Sequence, residues 1–255
     1  MPGQKKGSKM ADLAIIGGTG LTALQNLEIV RRETPRTPYG EPSAALTVGR
    51  LGGAEVVFLA RHGDAHTIPP HRVNYRANLW ALKEAGVTRI LAVCAVGGIG
   101  RDMPPRALAV PDQIIDYTWS REHTFFDTGL SHVTHVDFTR PYCEELRGVL
   151  IATAAAAGIA LIPRGTYGAT QGPRLETAAE VDRMARDGCD MAGMTGMPEA
   201  ALARELDLCY AHCAVCANWA AGRGEGIIEM DEIELNLRHA MQQVRTLLER
   251  VLTQG

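Results

Sequence analysis

Residues Asp12–Gly20, DLAIIGGTG, decide the fold class: an apolar run from Leu13 to Ile16 passes directly into Gly17, Gly18 and Gly20. A short, uninterrupted apolar segment that ends in glycines reads as a buried strand delivering a tight loop. The same grammar recurs along the chain. AEVVFLAR (54–61), TRILAVCAVGG (88–98), ALIPRGTYGATQG (160–172), DMAGMTG (190–196) and LCYAHCAVCAN (208–218) are the further strand candidates. Between and after them, VNYRANLWALKEAG (73–86), EELRGVLIATAAAAG (144–158), LETAAEVDRMARDG (175–188), PEAALARELD (198–207) and MDEIELNLRHAMQQVRTLLERVLTQ (230–254) space their apolar residues three and four apart, as helices do. Strands alternating with helices predict an α/β layered fold: one domain, residues 11–255, with a central mixed, mostly parallel sheet flanked by helices. In such sheets ligands sit beyond the carboxyl ends of the strands, so the strand-to-loop junctions are where chemistry is expected.

The bulk composition removes several function classes. With 255 residues, 46% hydrophobic and 22% charged, the chain can enclose a sizeable core. Its formal charge of −3 lacks the basic excess that phosphate backbones or anionic lipid require, so no nucleic acid and no membrane partner is expected. The head MPGQKKGSKM, residues 1–10, reads as a disordered basic tail rather than a signal peptide, and a cytoplasmic protein is expected. The six cysteines, Cys94, Cys143, Cys189, Cys209, Cys213 and Cys216, lie mostly in apolar runs and are expected to be free thiols. The prolines of ETPRTPYGEP (33–42) and HTIPPH (66–71) suggest ordered loops near a site.

Four junctions carry residues with a chemical use. At Ile16–Gly20 the backbone N–H groups of a glycine turn can approach an anion, and Thr19 adds a hydroxyl. Gly18, Gly20 and Ala23 also satisfy G-x-G-x-x-A. A dinucleotide site would then need a second strand and an acidic residue about twenty positions on, whereas the proline-rich RRETPRTPYGEP follows. Arg61 and His62 end the second strand; a guanidinium suits an oxyanion, although a single arginine is more often an ordinary ion-pair partner. His62, His66 and His71 match no common zinc spacing, and no metal is expected. Cys94 and Ala95 precede a third glycine pair, which taken alone is as well explained as a turn. In GMTGMPE (193–199), Pro198 suits a first helical position and Thr195 or Gly196 the cap, which places Thr195 at the positive end of a helix.

Taken together, IGGTG, ARHG, VNYRANLWALKEAG, GPRLETAAE and GMTGMPEAALARELDL, with the strand that follows, resemble the trimeric nucleoside phosphorylases, especially those acting on methylthioadenosine and methylthioinosine. The likeness covers nearly the whole chain, with five separated segments in the family's order. It implies a homotrimer, with inorganic phosphate as co-substrate and no cofactor. It implies phosphate contacts from Thr19, Arg61, His62, Cys94, Ala95 and Thr195, with Met194 under the ribose. The base pocket would be formed by Leu175, Glu176, Asn218, Trp219 and Ala220, with Asn218 and His62 as catalytic groups. Met230 would meet the 5′ group, and His135 would arrive from a neighbouring subunit.

The resemblance also bears on the substrate. Adenine-specific relatives carry carboxylates at the positions of Asn218 and Ala220, whereas relatives specific for 6-oxopurines pair a glutamate at the position of Glu176 with an amide at Asn218. This chain has the second pattern. A carboxylate accepts the N1–H of hypoxanthine but faces a lone pair on adenine, a mismatch worth about 1–3 kcal/mol. Leu175 departs from the family, whose members usually place a stacking Phe there. The implied reaction is phosphorolysis of S-methyl-5′-thioinosine to hypoxanthine and 5-methylthioribose 1-phosphate, in purine and methylthio-nucleoside salvage. Its rivals are an S-methyl-5′-thioadenosine phosphorylase, a 6-oxopurine nucleoside phosphorylase and, distantly, an NAD-dependent oxidoreductase.

Overall fold

A computed structural model describes residues 11–21 and 23–254; the tail expected at residues 1–10 lies outside them. The first junction forms as read: β1 (Leu13–Gly17) is buried at every position and leads into the glycine turn. The other strands are β2 (Glu28–Glu33), β3 (Leu46–Leu51), β4 (Ala54–Ala60), β5 (Arg89–Gly98), β6 (Leu108–Ala109), β7 (Gln113–Asp116), β8 (Thr166–Ala169), β9 (Met191–Gly193) and β10 (Cys209–Trp219). The helices are α1 (Tyr75–Glu84), α2 (Glu144–Ala156), α3 (Ala178–Arg186), α4 (Gly196–Glu205) and α5 (Met230–Gln254). All five helices and all six strand candidates are present.

The described strands join in one mixed sheet in the order β2-β3-β4-β1-β5-β9-β8-β7, with β10 paired to β5 and to β6. The four central strands β4, β1, β5 and β10 run parallel. Antiparallel pairs add the β2-β3-β4 margin and the β5–β9 and β10–β6 contacts. Two strands of the margin, β2 and β3, escape a reading based on apolar runs. β2 (EIVRRE) is exposed or half-buried throughout, so it has no apolar signature. β3 joins β4 through Gly52 and Gly53, whose φ of +60° and +87° are those of a tight hairpin turn.

Alternate residues of the parallel strands feed two cores. Ala14 and Ile16 of β1, Val57 and Leu59 of β4, and Ile90 and Ala92 of β5 pack with Leu79 and Leu82 of α1 and with Ala200 and Leu202 of α4. Leu13 and Ile15, Val56 and Phe58, and Leu91 and Val93 face the opposite way, against Leu146 and Leu150 of α2 and the Leu237, Met241, Val244 and Leu248 stripe of α5. A period of two in the strands met by a period near 3.6 in the helices is what seals both faces of a parallel sheet. It also leaves the strand ends as the place where loops can be polar.

The cysteine reading needs correction. Cys94, Cys189, Cys213 and Cys216 are free and buried, but Cys143 and Cys209 form a disulfide across 66 residues of sequence. Cys143 is the N-cap residue of α2, and its N–H donates to the carbonyl of Tyr210, beside Cys209. Spatial adjacency of a helix start and a strand start is not visible from spacing in the chain.

Candidate active site

A cavity of about 430 Å³ opens where β1, β4, β5, β9 and β10 end. Twelve of the expected residues line it: Thr19, Arg61, His62, Cys94, Ala95, Leu175, Glu176, Met194, Thr195, Asn218, Ala220 and Met230. Two do not. Trp219 is half-buried with its side chain against Gly224, and His135 is exposed in the segment between β7 and α2.

At one end of the cavity the backbone is drawn close. A Cβ on Gly18 would come within 2.7 Å of the Val93 carbonyl and 2.8 Å of Arg61 Nη1, so only glycine lets the turn after β1 lie against the middle of β5. Arg61 is fully buried and does not present its fork to the cavity: Nε and Nη2 donate to the two carboxylate oxygens of Glu199 at 2.7 and 2.9 Å, and Nη1 donates to Val93 O at 3.1 Å. The bidentate face of the guanidinium is therefore taken by Glu199. Three of the five N–H groups are used, and the remaining ones on Nη1 and Nη2 are what Arg61 can offer. Burial alone would lower the Arg61 pKa, but the Glu199 carboxylate outweighs it and the guanidinium is held charged. Tyr210 also donates to Glu199, at 2.7 Å, which completes a polar layer beneath the cavity.

His62 adjoins this pair. Its Nδ1 donates to the Ile68 carbonyl at 2.8 Å, which fixes the ring and leaves Nε2 for other use. Burial, then the Arg61 charge, push its pKa down to about 4, so the imidazole is neutral at physiological pH. His66, with φ of +53°, reaches to 3.4 Å from the Thr19 hydroxyl and lies against the His62 ring.

Thr195 departs from the cap role. Its side chain makes no capping bond, and Met197 interrupts the start of α4 with φ −119° and ψ 139°, so regular helix begins at Pro198. The Thr195 and Gly196 N–H groups point at the Tyr167 hydroxyl, at 3.2 and 3.3 Å. Thr195 lines the cavity, while its hydroxyl oxygen is buried without a hydrogen-bond partner. A buried hydroxyl left unsatisfied beside a cavity can gain a partner when its side chain turns toward a bound ligand oxygen.

Glu176 and Asn218 line the same cavity. Glu176 accepts a hydrogen bond from the Thr170 hydroxyl on one carboxylate oxygen, which orients the other. Asn218 donates from Nδ2 to the carbonyl of Trp219 at 2.7 Å, leaving its second N–H and Oδ1 for a ligand. The pairing of β10 with β5 shifts register between Cys216 and Asn218, so Ala217 and Asn218 both line the cavity although consecutive residues of a regular strand face opposite ways. Cavity residues not expected from the sequence include His66, Ile68, Ile228 and Ile233. Ile233 stands one helical turn beyond Met230 on α5, which is the only signal the sequence carried for it. Glu199 was not singled out from the sequence; its place in the apolar run MPEAAL was the available clue.

Residues 12–253 match the family model described as the phosphorylase superfamily. The chain belongs to that superfamily. This phosphorylase is 56% identical, over 96% of its own length and 99% of the relative's, to a probable S-methyl-5′-thioinosine phosphorylase from Pseudomonas syringae pv. tomato. It is 48% identical to a 6-oxopurine nucleoside phosphorylase from Pyrococcus furiosus, over 94% and 91% of the two chains. Methylthioadenosine phosphorylase from Schistosoma mansoni in complex with adenine superposes on the phosphorylase with a TM-score of 0.91 at 33% identity, covering 95% of this chain and 91% of that one. The resemblance read from the sequence and the α/β layered fold both hold.

Proposed function

We propose that this phosphorylase cleaves S-methyl-5′-thioinosine with inorganic phosphate, giving hypoxanthine and 5-methylthioribose 1-phosphate, in methylthio-nucleoside and purine salvage. One observation carries the reading: a single cavity is lined by Thr19, Arg61, His62 and Thr195 and also by Glu176 and Asn218. The first group suits an oxyanion and the second a 6-oxopurine.

In this reading phosphate sits against Thr19, Arg61, Thr195 and the backbone at Cys94 and Ala95. Neutral His62 accepts a hydrogen bond from the protonated phosphate oxygen, leaving another oxygen to attack C1′. The C1′–N9 bond breaks as the new C1′–O bond forms, and its electron pair leaves with the purine. Positive charge on the ribosyl group is met by the bound phosphate; negative charge on the base is met by the free Asn218 N–H at O6, while Glu176 accepts N1–H. Rate arises from positioning and fixed dipoles, with no covalent protein intermediate. Neither a metal nor an organic cofactor takes part. Ile228, Met230 and Ile233 give the 5′ end of the cavity an apolar wall that fits a methylthio group better than a hydroxyl. The cytoplasmic setting, the homotrimer, and the delivery of His135 to a neighbouring site belong to the same proposal.

The test is base release from S-methyl-5′-thioinosine, S-methyl-5′-thioadenosine and inosine, each with and without phosphate. The expected result is phosphate-dependent turnover, fastest with the first. Equal cleavage in phosphate-free buffer overturns the mechanism, and a preference for the adenine nucleoside overturns the roles of Glu176 and Asn218. A second reading, a 6-oxopurine nucleoside phosphorylase, shares the Glu176–Asn218 pair; inosine as the best substrate would establish it.

A further inference from the structure

Arg121 lies outside the cavity lining, and the chemistry above gives it no task. It stands in the loop after β7 with 8% of its surface exposed. All five of its N–H groups find acceptors. Nε donates to Gln171 Oε1 at 3.1 Å. Nη1 donates to the carbonyls of Met194 and Met197, at 2.9 and 2.6 Å, and lies 3.4 Å from the Tyr75 hydroxyl. Nη2 donates to the carbonyls of Thr170 and Gln171, at 3.1 and 2.8 Å. These partners are neutral, and four of them are backbone carbonyls on two different loops.

Both loops lead into residues that line the cavity. Thr170 and Gln171 follow β8, and the Thr170 hydroxyl orients Glu176. Met194 and Met197 bracket Thr195, which lines the cavity. The β8–β9 ladder closes with Thr170 N–H on Gly193 O, and beyond that point the planar guanidinium spans from one loop to the other. One end of a rigid group thus holds the loop of Thr195 and the other end the loop of Glu176. A shift of either loop moves the donors that hold the second.

We propose that Arg121 is a positioning residue that couples the two substrates, so that phosphate at Thr195 and a purine at Glu176 each bind more tightly when the other is present. The inference rests on the proposed phosphorolysis. Coupling of this kind is reciprocal, and typical values correspond to a change in affinity of about 5-fold or more. Lysine cannot replace the arginine, because an ammonium offers three donors from one point and does not reach both loops.

The experiment measures the KM of S-methyl-5′-thioinosine at low and saturating phosphate, and the KM of phosphate at low and saturating nucleoside, in the wild type, Arg121→Lys and Gln171→Leu. Unfolding midpoints are recorded alongside. Each substrate should lower the KM of the other in the wild type; in Arg121→Lys both ratios should fall to about 1, and Gln171→Leu, which removes the Nε acceptor that Arg121 shares with the Trp119 N–H, should lower both partway. Should Arg121→Lys fail to fold, the partial loss in Gln171→Leu decides. Unchanged ratios in either folded variant, or a drop in stability or kcat with the ratios intact, overturn the proposal, as does a wild type without any coupling. Base release without phosphate overturns instead the reading of the reaction on which it rests.

Discussion

Arg61 and Glu199 meet as a bidentate pair, Nε to Oε2 at 2.7 Å and Nη2 to Oε1 at 2.9 Å, with both side chains wholly enclosed. The pair makes a buried cation tolerable beside a cavity and fixes the plane of the guanidinium. Removing one partner leaves the other charge without compensation. Glu199→Ala should therefore lose about 3–5 kcal/mol of stability in denaturant unfolding. Glu199→Gln keeps one acceptor and should lose less, while raising the KM for phosphate more than that for nucleoside. An equal effect on both substrates would argue against Arg61 acting at the phosphate end.

The histidine beside that pair sets a pH dependence. His62 titrates at about 4 in the fold, against an ordinary 6.5. Between those values the unfolded chain binds the proton and the folded one does not, so stability rises with pH across the window and is lost as pH falls from about 6.5 toward 4. Buried His212, also shifted downward, adds to the same slope. In phosphate-free buffer, His62→Gln should flatten part of the stability profile in that window and leave the region above pH 7 unchanged. An identical slope in the variant would contradict a neutral, buried His62.

Gly18 offers a steric test of the anion loop. An alanine there brings Cβ within 2.8 Å of Arg61 Nη1 and nearer still to the Val93 carbonyl. Gly18→Ala should destabilise the fold by about 1–3 kcal/mol and weaken phosphate binding. Tight phosphate binding by this variant, measured calorimetrically, would show that the loop has room to spare.

Base selection should reside in two side chains. Glu176→Gln replaces an obligatory acceptor by a group that can also donate, and should narrow the preference for S-methyl-5′-thioinosine over S-methyl-5′-thioadenosine by about 10-fold, the equivalent of 1.4 kcal/mol. Asn218→Asp should move the ratio in the same direction by providing an acceptor for the adenine amino group. Ratios of kcat/KM for the two nucleosides read both effects.

The cysteine arrangement predicts a thiol count. Denatured without reductant, the protein should titrate four thiols, and six after reduction, because Cys143 and Cys209 are bridged. Native protein should react slowly at Cys94, which burial pushes up to about 12 even though it lines the cavity. Six thiols without reductant would remove the bridge.

Much of this protein is legible along the chain. Apolar runs mark β1, β4, β5, β9 and β10, with glycine closing those of β1, β5 and β9, and three- to four-residue spacing marks every helix, because burial of strands on two faces and helices on one leaves a local imprint. Strand β2, charged and exposed at a sheet margin, leaves none. Twelve of the expected site residues also converge on the cavity, since strand ends of a parallel sheet share one side of the molecule.

What the order of residues determined unaided was the layered α/β class, the helices, and which junctions carry an arginine, a threonine or an amide. Only the tertiary structure decided how those groups are used. It turned the fork of Arg61 toward Glu199, left the Thr195 hydroxyl without a cap to make, and bulged β10 so that Asn218 faces the cavity. It also set Arg121 between two loops and joined Cys143 to Cys209. The reason is one of range: periodicity reports burial within a few residues, whereas a side chain's partner is chosen among groups brought near by chain segments 46 to 138 positions away.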